Sequence, residues 1–477
     1  WESDGQGQFS VEAIDKPTHG TEVILHLKAD DKDFLNSWRL RQIVKKYSDF
    51  VAHPIVIDVE KEEGEGDDKK KITVEETLNS RKAIWLRPKS EVTQEEYDEF
   101  YKHIAHDMEK PARTIHYSAE GALEFKALLY LPGHKPFDLM WGDSKKGLQL
   151  YIQRVFIMDD CEALLPHYLR FVRGVVDSPD LPLNVSRELL QQSAPLEKIK
   201  SNLANKVLNT LDEWKRKEFD EYVKFYHELG VFLKEGIGQD WSNREKLADL
   251  LLFESTKTEP GKYTTLAQYV LAMPGEQTDI YYLIGENREV LEHSPYLEAF
   301  KAKGWEVLLL TEPIDEFAVD SLRDYKGKKL KAVDKGALDG AIDEAKQKDF
   351  APLLTALKAK LPDVQEVRLS NRLKESAACL VAPEGAPGAH LERLMARMGR
   401  GQELPTTQRI LEINPDHAVV KALGAMAAAN AADGRVEKYG RLLYDQAVIA
   451  EGSKVKDPSA LAQRINDLIL RDTLVAG

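Results

Sequence analysis

The chain has 477 residues, of which 43% are hydrophobic, and its 66 lysines and arginines against 80 aspartates and glutamates give a formal net charge of −14. This length suggests roughly three domains, and the composition excludes a disordered chain. The acidic balance argues against a nucleic-acid-binding protein. No apolar run approaches the roughly 20 residues of a membrane span. The two cysteines, Cys161 and Cys379, favour a reducing cytosol over a disulfide framework.

The first part of the chain alternates between strand-like and helical patterns. TEVILHL is predicted to form a strand, FLNSWRLRQIVKKYSDF a helix and VAHPIVIDV a second strand. Residues 60–71, EKEEGEGDDKKK, contain no apolar side chain and are predicted to be a solvated linker. A new globular segment is expected to begin near Ile72. Because the chain starts at Trp1 rather than methionine, we expect it to be cut from a longer protein.

Strands and helices then alternate through residues 72–334. ALLYLP, LQLYIQRVFIM and FVRGVV are three predicted strands. The charged segment from PLEKIK to HELG is helical and predicts a helical hairpin or coil, broken only at its terminal glycine. Residues 280–311 read as strand, helix and strand, which predicts a βαβ unit with two parallel strands.

The last part of the chain is rich in alanine, lysine and leucine and is predicted to end in helices. Three helices are expected, over PDHAVVKALGAMAAAN, RVEKYGRLLYDQAVIA and ALAQRINDLIL. The last carries Leu461, Ile465, Leu468 and Ile469 at helical spacing. This apolar stripe requires a partner surface.

The common signatures of nucleotide-binding and hydrolytic enzymes are missing from the sequence. His103 and His106 are close enough on a predicted helix to bind a metal, but no third ligand is nearby and ordinary surface histidines are favoured. We therefore predict no metal site. The βαβ unit lacks a glycine fingerprint, so a structural layer is favoured over a nucleotide site.

The stretch DLPLNVSRELLQQ, residues 180–192, places Arg187 in the first turn of a predicted helix, where a cation is disfavoured. In one interpretation, Asn184 or Ser186 caps the helix and Arg187 pairs with a neighbouring acid. In the other, Asn184, Arg187 and Gln191 reach toward an anion on another domain, since a guanidinium matches phosphate oxygens. Sequence physics alone leaves both interpretations open.

This stretch closely resembles the catalytic loop of the ninety-kilodalton heat-shock chaperone family. The resemblance extends, in family order, through GTEVILHLK, YSDFVAHPI, KSEVTQEEYDEFYKHIAHD, LYIQRVFIMDDCEALLPHYLRFVRGVVDS, GWEVLLL and INPDH. The short acidic linker and the ending LVAG are similar to the bacterial cytosolic form, which implies a cytoplasmic protein.

The resemblance implies an α/β multidomain protein. Residues 1–59 would be the C-terminal remnant of a GHKL-type ATPase domain and 60–71 a charged linker. Residues 72–334 would form a middle domain of two αβα units joined by a helical coil, and 335–477 an α+β dimerisation domain ending in a helical bundle. The family uses ATP and Mg²⁺, but only Thr21 matches its nucleotide pocket. We therefore expect this chain alone to bind no cofactor and to be inactive as an ATPase.

The resemblance also assigns roles to individual residues. Arg187 would contact the γ-phosphate of ATP, with Asn184 and Gln191 positioning the loop. Glu316, Phe317 and Asp320 match a client-binding surface, although the close bacterial form has Trp and Asn in place of Phe317 and Asp320.

Two further apolar features admit a structural or a functional interpretation. The first is a methionine-rich stripe that consists of Leu391, Leu394, Met395 and Met398. It is either core or an adaptable client-binding surface, and the resemblance favours the surface. Phe137 and Trp141 form a second apolar patch or simply core.

The expected dimer interface comprises Leu442, Leu443, Leu461, Ile465, Leu468 and Ile469, with two helices from each subunit forming a four-helix arrangement.

The function implied is that of an ATP-dependent molecular chaperone that binds unfolded or partly folded client proteins as a homodimer. Cooperation with the seventy-kilodalton heat-shock chaperone system is a further expectation, whereas nucleic-acid and membrane partners are not expected. The alternative is an ATP-independent holdase or scaffold. A metabolic α/β enzyme is disfavoured because its motifs are missing.

Overall fold

The computed structural model describes residues 1–5, 7–63, 70–121, 123–140, 147–181, 194–338, 342–403 and 407–475. The chain divides into two compact units. The first comprises residues 1–87 and 151–157, and the second comprises residues 88–150 and 158–477. The predicted domain boundaries near 59, 71 and 334 do not coincide with this division and stay predictions.

The described residues of the first unit include one α-helix, a 3₁₀ helix and two small antiparallel sheets. Its elements are β1 (Glu2–Ser3), β2 (Phe9–Ser10), a 3₁₀ helix (Ala29–Leu35), α1 (Ser37–Tyr47), β3 (Val56–Glu63) and β4 (Lys70–Thr77). Strand β1 pairs with β2 and β3 pairs with β4. Helix α1 confirms the predicted helix, and the Asn36 side chain caps it by accepting the Trp38 N–H at 2.9 Å.

Two predictions in this unit are wrong. TEVILHL forms no strand, and Val23, Ile24 and Leu25 are exposed. A strand is stable only with a pairing partner, and the described residues provide none there. The predicted linker 60–71 is partly a hairpin, because β3 runs to Glu63 and β4 begins at Lys70. Strands pair through their backbones, so the polar composition did not prevent the pairing.

Aromatic packing and side-chain hydrogen bonds hold the loops of the first unit. The rings of Phe50 and Trp85 lie 4.7 Å apart, and those of Trp85 and Tyr151 lie 5.0 Å apart. Asn79 accepts the Ile55 N–H at 2.9 Å. It also donates to two carbonyls of the segment between α1 and β3.

The second unit begins with helix α2 (Gln94–Ala105) and a five-stranded sheet. The sheet contains β5 (Pro111–Ala119), β6 (Phe125–Pro132), β7 (Leu148–Ile152), β8 (Val155–Cys161) and β9 (Arg173–Asp177), in the order β5-β6-β9-β7-β8. The single strand predicted over residues 148–158 is instead a hairpin. It turns at Gln153 and Arg154, which both have positive φ. Residues 151–157, which comprise the end of β7, the turn and the beginning of β8, are part of the first unit.

Two long helices follow this sheet, α3 (Ala194–Lys217) and α4 (Phe219–Gln239). The helical coil is therefore confirmed, but its break lies at Glu218 and not at Gly230, which is buried within α4. A Cβ atom at Gly230 would lie 2.9 Å from the Tyr226 ring, so glycine is required there for packing and not for a turn.

The second sheet contains the predicted βαβ unit. Strands β12 (Ile280–Ile284) and β13 (Val307–Leu310) are parallel, with Tyr282 opposite Leu308, which confirms the prediction. The sheet order is β11-β10-β13-β12-β15-β14, where the other strands are β10 (Leu252–Ser255), β11 (Thr264–Thr265), β14 (Asp324–Tyr325) and β15 (Lys328–Ala332). Its helices are α5 (Arg244–Leu250), α6 (Leu266–Ala272), α7 (Arg288–Glu292), α8 (Glu298–Lys303) and α9 (Asp315–Leu322).

The last part of the second unit has a three-stranded sheet of order β16-β18-β17 and five helices. The strands are β16 (Val364–Leu369), β17 (Ala378–Val381) and β18 (Arg409–Ile413). The helices are α10 (Glu344–Lys360), α11 (Ala389–Arg397), α12 (Ala418–Ala429), α13 (Gly434–Ala450) and α14 (Pro458–Val475). Helices α12, α13 and α14 confirm the three predicted C-terminal helices.

The second and third sheets share one hydrophobic core. Tyr281, Phe300 and Leu309 pack in one buried cluster with Cys379, Val381 and Ile410. A fully buried arginine reinforces this junction. Arg372 donates to the Glu412 carboxylate at 2.8 Å, to the Gly336 carbonyl at 2.6 Å and to the Val333 carbonyl. The predicted boundary at residue 334 therefore lies inside a packed structure.

Gly174 in strand β9 provides a test of this packing. It has φ +148°, and a Cβ atom there would overlap the Leu128 carbonyl oxygen and lie 2.9 Å from Leu129 Cα. We predict that Gly174→Ala destabilises the second unit by ~2–4 kcal/mol, because the backbones of β9 and β6 would have to separate. Thermal unfolding followed by circular dichroism measures the effect.

The matched control is Gly275→Ala, because a Cβ atom at Gly275 meets nothing within 4 Å. This variant should melt within a degree or two of the unmodified chain. Equal melting temperatures for the Gly174 variant and the control would contradict the prediction.

Candidate functional site

Helix α9 carries the three residues that were predicted to bind client proteins, and a buried ion pair fixes it to α4. Lys234 of α4 contacts Asp315, the first residue of α9, at 2.7 Å, and both side chains are buried. On this fixed helix, Phe317 is 51% exposed and Asp320 is exposed. Glu316 departs from the expected surface site, because its side chain is only 6% exposed.

Helix α11 covers Glu316 and carries the methionine-rich stripe. His390 Nδ1 lies 3.0 Å from Glu316 Oε1, so the first turn of α11 is joined to α9. The stripe is neither core nor free surface, since its first three residues are half-buried and Met398, at the C-terminal end, is 58% exposed. The two predicted client-binding segments, far apart in sequence, are therefore neighbours.

A cavity of about 490 Å³ lies where these segments meet. Glu316 and Asp320 line it from α9, Leu391 lines it from α11, and Glu384 lines it from the turn before α11. The floor includes Tyr282 of β12 and residues of β15. The cavity is thus built by the second sheet on one side and by the C-terminal segment on the other.

Two ionisable groups at this cavity have shifted pKa values. Burial raises the pKa of the Tyr282 hydroxyl, and the carboxylates of Asp334, Glu316 and Asp320 raise it further. Burial likewise raises the pKa of Asp334, while Lys335 lowers it by more than Glu316 raises it. Both shifts arise mainly from burial, which disfavours the charged form of each group.

The segment around Arg187 lies outside the described residues, as do Asn184 and Gln191. Its flanks are described: strand β9 ends at Asp177, and Leu181 is buried. Asp180 accepts the Glu124 N–H at 2.7 Å, and the Ser178 hydroxyl donates to the Glu124 carbonyl at 2.6 Å. The beginning of the Arg187 segment is therefore held to the turn between β5 and β6.

The remaining predicted site residues are dispersed. Thr21 is exposed in a segment without helix or strand. Phe137 begins a 3₁₀ turn and Trp141 lies outside the described residues. His103 lies in the last turn of α2, and His106 follows it with left-handed backbone. Within the described ranges, no group of three or more His, Cys, Asp or Glu side chains is arranged to hold a metal ion.

The C-terminal helices present an apolar surface in addition to their core. Ile465 and Ile469 of α14 are exposed, whereas Leu442, Leu461 and Leu468 are half-buried. Leu443 requires a correction: it is 3% exposed and packs in the core of its own chain, which leaves its side chain inaccessible to a second subunit. Leu442 and Leu468 line a groove of about 720 Å³ with residues of α12.

Sequence reasoning missed two residues of this site, Glu384 in the cavity lining and His390 beside it. His390 begins the stripe HLERLMARMG, but nothing local indicates that its partner is Glu316, 74 residues away. Glu384 lies in a Pro/Gly-rich turn, a setting that usually indicates only a loop. A single exposed glutamate in a turn carries no signal in an isolated sequence.

Two comparisons with known proteins identify sequences similar to this chain. Residues 60–475 match the family described as Hsp90 protein. Proteins named Chaperone protein HtpG from Geobacter metallireducens and Geobacter sulfurreducens are 52% and 51% identical over 99% of this chain and 75% of their own length. The HtpG of Bdellovibrio bacteriovorus is 46% identical, with the same coverage.

The fold is thus that of a mixed α/β multidomain protein, and the similarity supports a molecular chaperone role. The chain belongs to the Hsp90 protein family. It spans about three quarters of the length of these relatives. No helix in the described part of the chain is long and apolar enough to cross a membrane.

Glu298, the first residue of α8, provides a test of the junction that supports the cavity. Its carboxylate accepts the N–H groups of Lys374, Glu375 and Ser376 and the Ser376 hydroxyl. Burial opposes ionisation, but these hydrogen bonds lower the pKa of Glu298 below its ordinary value. Because this pKa is lowered, the ionised carboxylate stabilises the fold above pH ~4.3, the usual pKa of a glutamate. This stabilisation is lost as the pH falls through the pKa of Glu298 in the folded protein.

We predict that Glu298→Gln lowers the free energy of unfolding by ~1–2 kcal/mol at pH 7, because an amide group would face three N–H donors. The difference from the unmodified chain should shrink steadily as the pH is lowered below ~4. Urea unfolding at pH 7 and at a pH below ~4 measures this difference in the free energy of unfolding. The control is Glu375→Gln, a substitution of an exposed neighbouring glutamate. An effect of Glu298→Gln that is independent of pH would show that the carboxylate charge contributes nothing.

Proposed function

We propose that this chain is part of an ATP-dependent molecular chaperone that binds and remodels unfolded or partly folded client proteins. The observation that carries the proposal is the 52% identity, over 99% of the chain, to a protein named as a chaperone. The surface of α9 and α11 supports it, because an exposed Phe317 and an exposed Met398 are adaptable contacts for varied polypeptides. In this proposal, clients bind at Glu316, Phe317, Asp320, Leu391, Leu394, Met395 and Met398.

ATP and Mg²⁺ are the proposed cofactors, and Arg187 is the proposed link between this chain and ATP. A guanidinium delivered by a movable element stabilises the charge that develops on a transferring phosphoryl group. Asn184 and Gln191 would position the segment, and Thr21 would lie near the adenine. The hydrogen bonds of Ser178 and Asp180 to Glu124 support this role, because they fix the point from which the segment departs.

A second candidate function is an ATP-independent holdase or scaffold. The exposed apolar side chains of α9 and α11 favour it, since client binding to them requires no nucleotide. Cooperation with the seventy-kilodalton heat-shock chaperone system and a bacterial cytoplasmic location are further parts of the proposal.

The experiment that tests the proposal is steady-state ATP turnover by residues 1–477 joined to the family's nucleotide-binding region, with and without Arg187→Ala. We expect turnover to fall by about 10²–10³-fold while ATP still binds, because the substitution removes only the cation at the γ-phosphate. Suppression of the aggregation of an unfolded protein, measured with and without ATP, completes the test.

Two variants serve as controls for Arg187→Ala. Arg187→Lys keeps the charge but not the planar fork and should retain part of the activity. Arg216→Ala removes an exposed arginine of α3 and should leave turnover unchanged. Unchanged turnover in Arg187→Ala would exclude the phosphate role, and suppression of aggregation that is indifferent to ATP would favour the holdase.

We also propose that the chain forms a homodimer through α13 and α14. Ile465 and Ile469 expose apolar surface on α14, and the groove lined by Leu442 and Leu468 lies beside it. Helices that carry an exposed apolar stripe bury it against a second helix pair in four-helix arrangements. Leu461 contributes to the same stripe, and Leu443 supports it from the core.

We predict that the double substitution Ile465→Glu and Ile469→Glu converts the dimer to a monomer, because two charges would be buried at the interface. Removal of residues 457–477 should have the same effect. Sedimentation velocity measures the mass, and Gln463→Glu on the same helix is the control for added charge. An unchanged dimer mass in the double variant would exclude this interface.

A further inference from the structure

The cavity between α9 and α11 holds acidic groups that the protein itself does not neutralise. Asp320 and Glu384 both line it, and neither forms an ion pair with any residue in the described part of the chain. Glu316 contributes a third carboxylate with a nearly buried side chain, and one of its oxygens contacts His390. Three carboxylates from two separate segments therefore line the same cavity.

Two of the three basic residues that line the same cavity are already engaged elsewhere. Lys331 pairs with Asp279 at 2.9 Å, and Arg372 pairs with the buried Glu412 at 2.8 Å. Lys335 lies beside Asp334 and lowers its pKa. The carboxylates of Glu316, Asp320 and Glu384 outnumber Lys335, so the charge that remains for an incoming group is negative.

Part of the cavity wall is apolar. Val319, Leu338 and Leu391 line it, together with the tyrosines of β12. Its volume of about 490 Å³ lies within the range of sites that enclose a small ligand, ~300–1,000 Å³. A space with partly apolar walls and unneutralised carboxylates matches a long aliphatic side chain that ends in a cation. Lysine and arginine are the protein side chains with this construction.

The outer surface next to the cavity is suited to an apolar neighbour of such a side chain. Phe317 precedes Asp320 by three residues on α9, which places both on one face of the helix. The Phe317 ring is half exposed, while Asp320 reaches the cavity. An extended segment with a basic residue beside an apolar one can therefore use both features at once.

We propose that this cavity is an anchor subsite for one lysine or arginine side chain of an extended client segment, held at its charged end by Asp320 and Glu384. The inference rests on the proposed chaperone function and specifies which segments are selected. It assigns Glu384 a role in binding. It also makes the cavity, in addition to the exposed Phe317, a determinant of which client segments bind.

The test uses two fluorescent peptides that differ in one group. Both are unstructured and carry a leucine beside a lysine, but in the second the lysine is acetylated, which keeps the stem and removes the charge. We expect the lysine peptide to bind about tenfold more tightly by fluorescence anisotropy, and this advantage to fall as salt is added.

Chain variants then locate the effect. In the double variant Asp320→Asn and Glu384→Gln, the two peptides should bind with equal affinity. The substitutions remove both negative charges but keep the size and shape of the side chains. Glu99→Gln, an exposed carboxylate on α2, is the matched control and should keep the tenfold difference. Circular dichroism verifies that each variant is folded.

The outcomes separate this inference from the proposed function. Equal binding of the two peptides by the unmodified chain, or a preference that survives in the double variant, would overturn the anchor subsite. In either case the chaperone function stands if the chain still suppresses aggregation of an unfolded protein. Loss of both peptide binding and suppression would overturn the two proposals together.

Discussion

The arrangement of the second unit depends on one buried charge, the guanidinium of Arg372, whose side chain is 1% exposed. An unpaired charge in such a place would cost several kcal/mol, so the protein surrounds it with the Glu412 carboxylate and two backbone carbonyls. Those carbonyls belong to Val333 and Gly336, directly after β15. The chain is thereby fixed where it leaves the second sheet, which sets the distance between the two walls of the cavity.

Much of the fold was predictable because its signals are local. The helical periodicity of α1, of the α3–α4 coil and of the C-terminal helices identified them, and the apolar strands of residues 280–311 identified the βαβ unit. The errors share one physical cause, since a strand depends on a partner that local sequence does not reveal. TEVILHL has strand composition but forms none, whereas residues 60–63 have linker composition and pair in β3.

The sequence predicted separate parts of the candidate site but not how they are brought together. The resemblance indicated the α9 and α11 residues separately, but their contact through Glu316 and His390 arises from packing across 74 residues. Burial could not be predicted for the same reason: Glu316 was expected at the surface and is covered by α11, and Leu443 was expected at an interface and lies in the core. Residue type and spacing determine what a side chain can do, and tertiary packing determines whether it can be reached.

The chain presents two apolar surfaces, and the charges beside them suit each to a different kind of partner. On α14, two charged neighbours of Ile465 and Ile469 are paired within the chain, Arg464 with Asp445 and Asp467 with Lys438. A symmetric contact brings each surface against its own copy, so a surface whose neighbouring charges are paired in this way suits self-association. The α9–α11 cavity would meet its own unpaired carboxylates in such a contact and would be repelled. Its negative charge therefore favours a different polypeptide, one that supplies the missing cation.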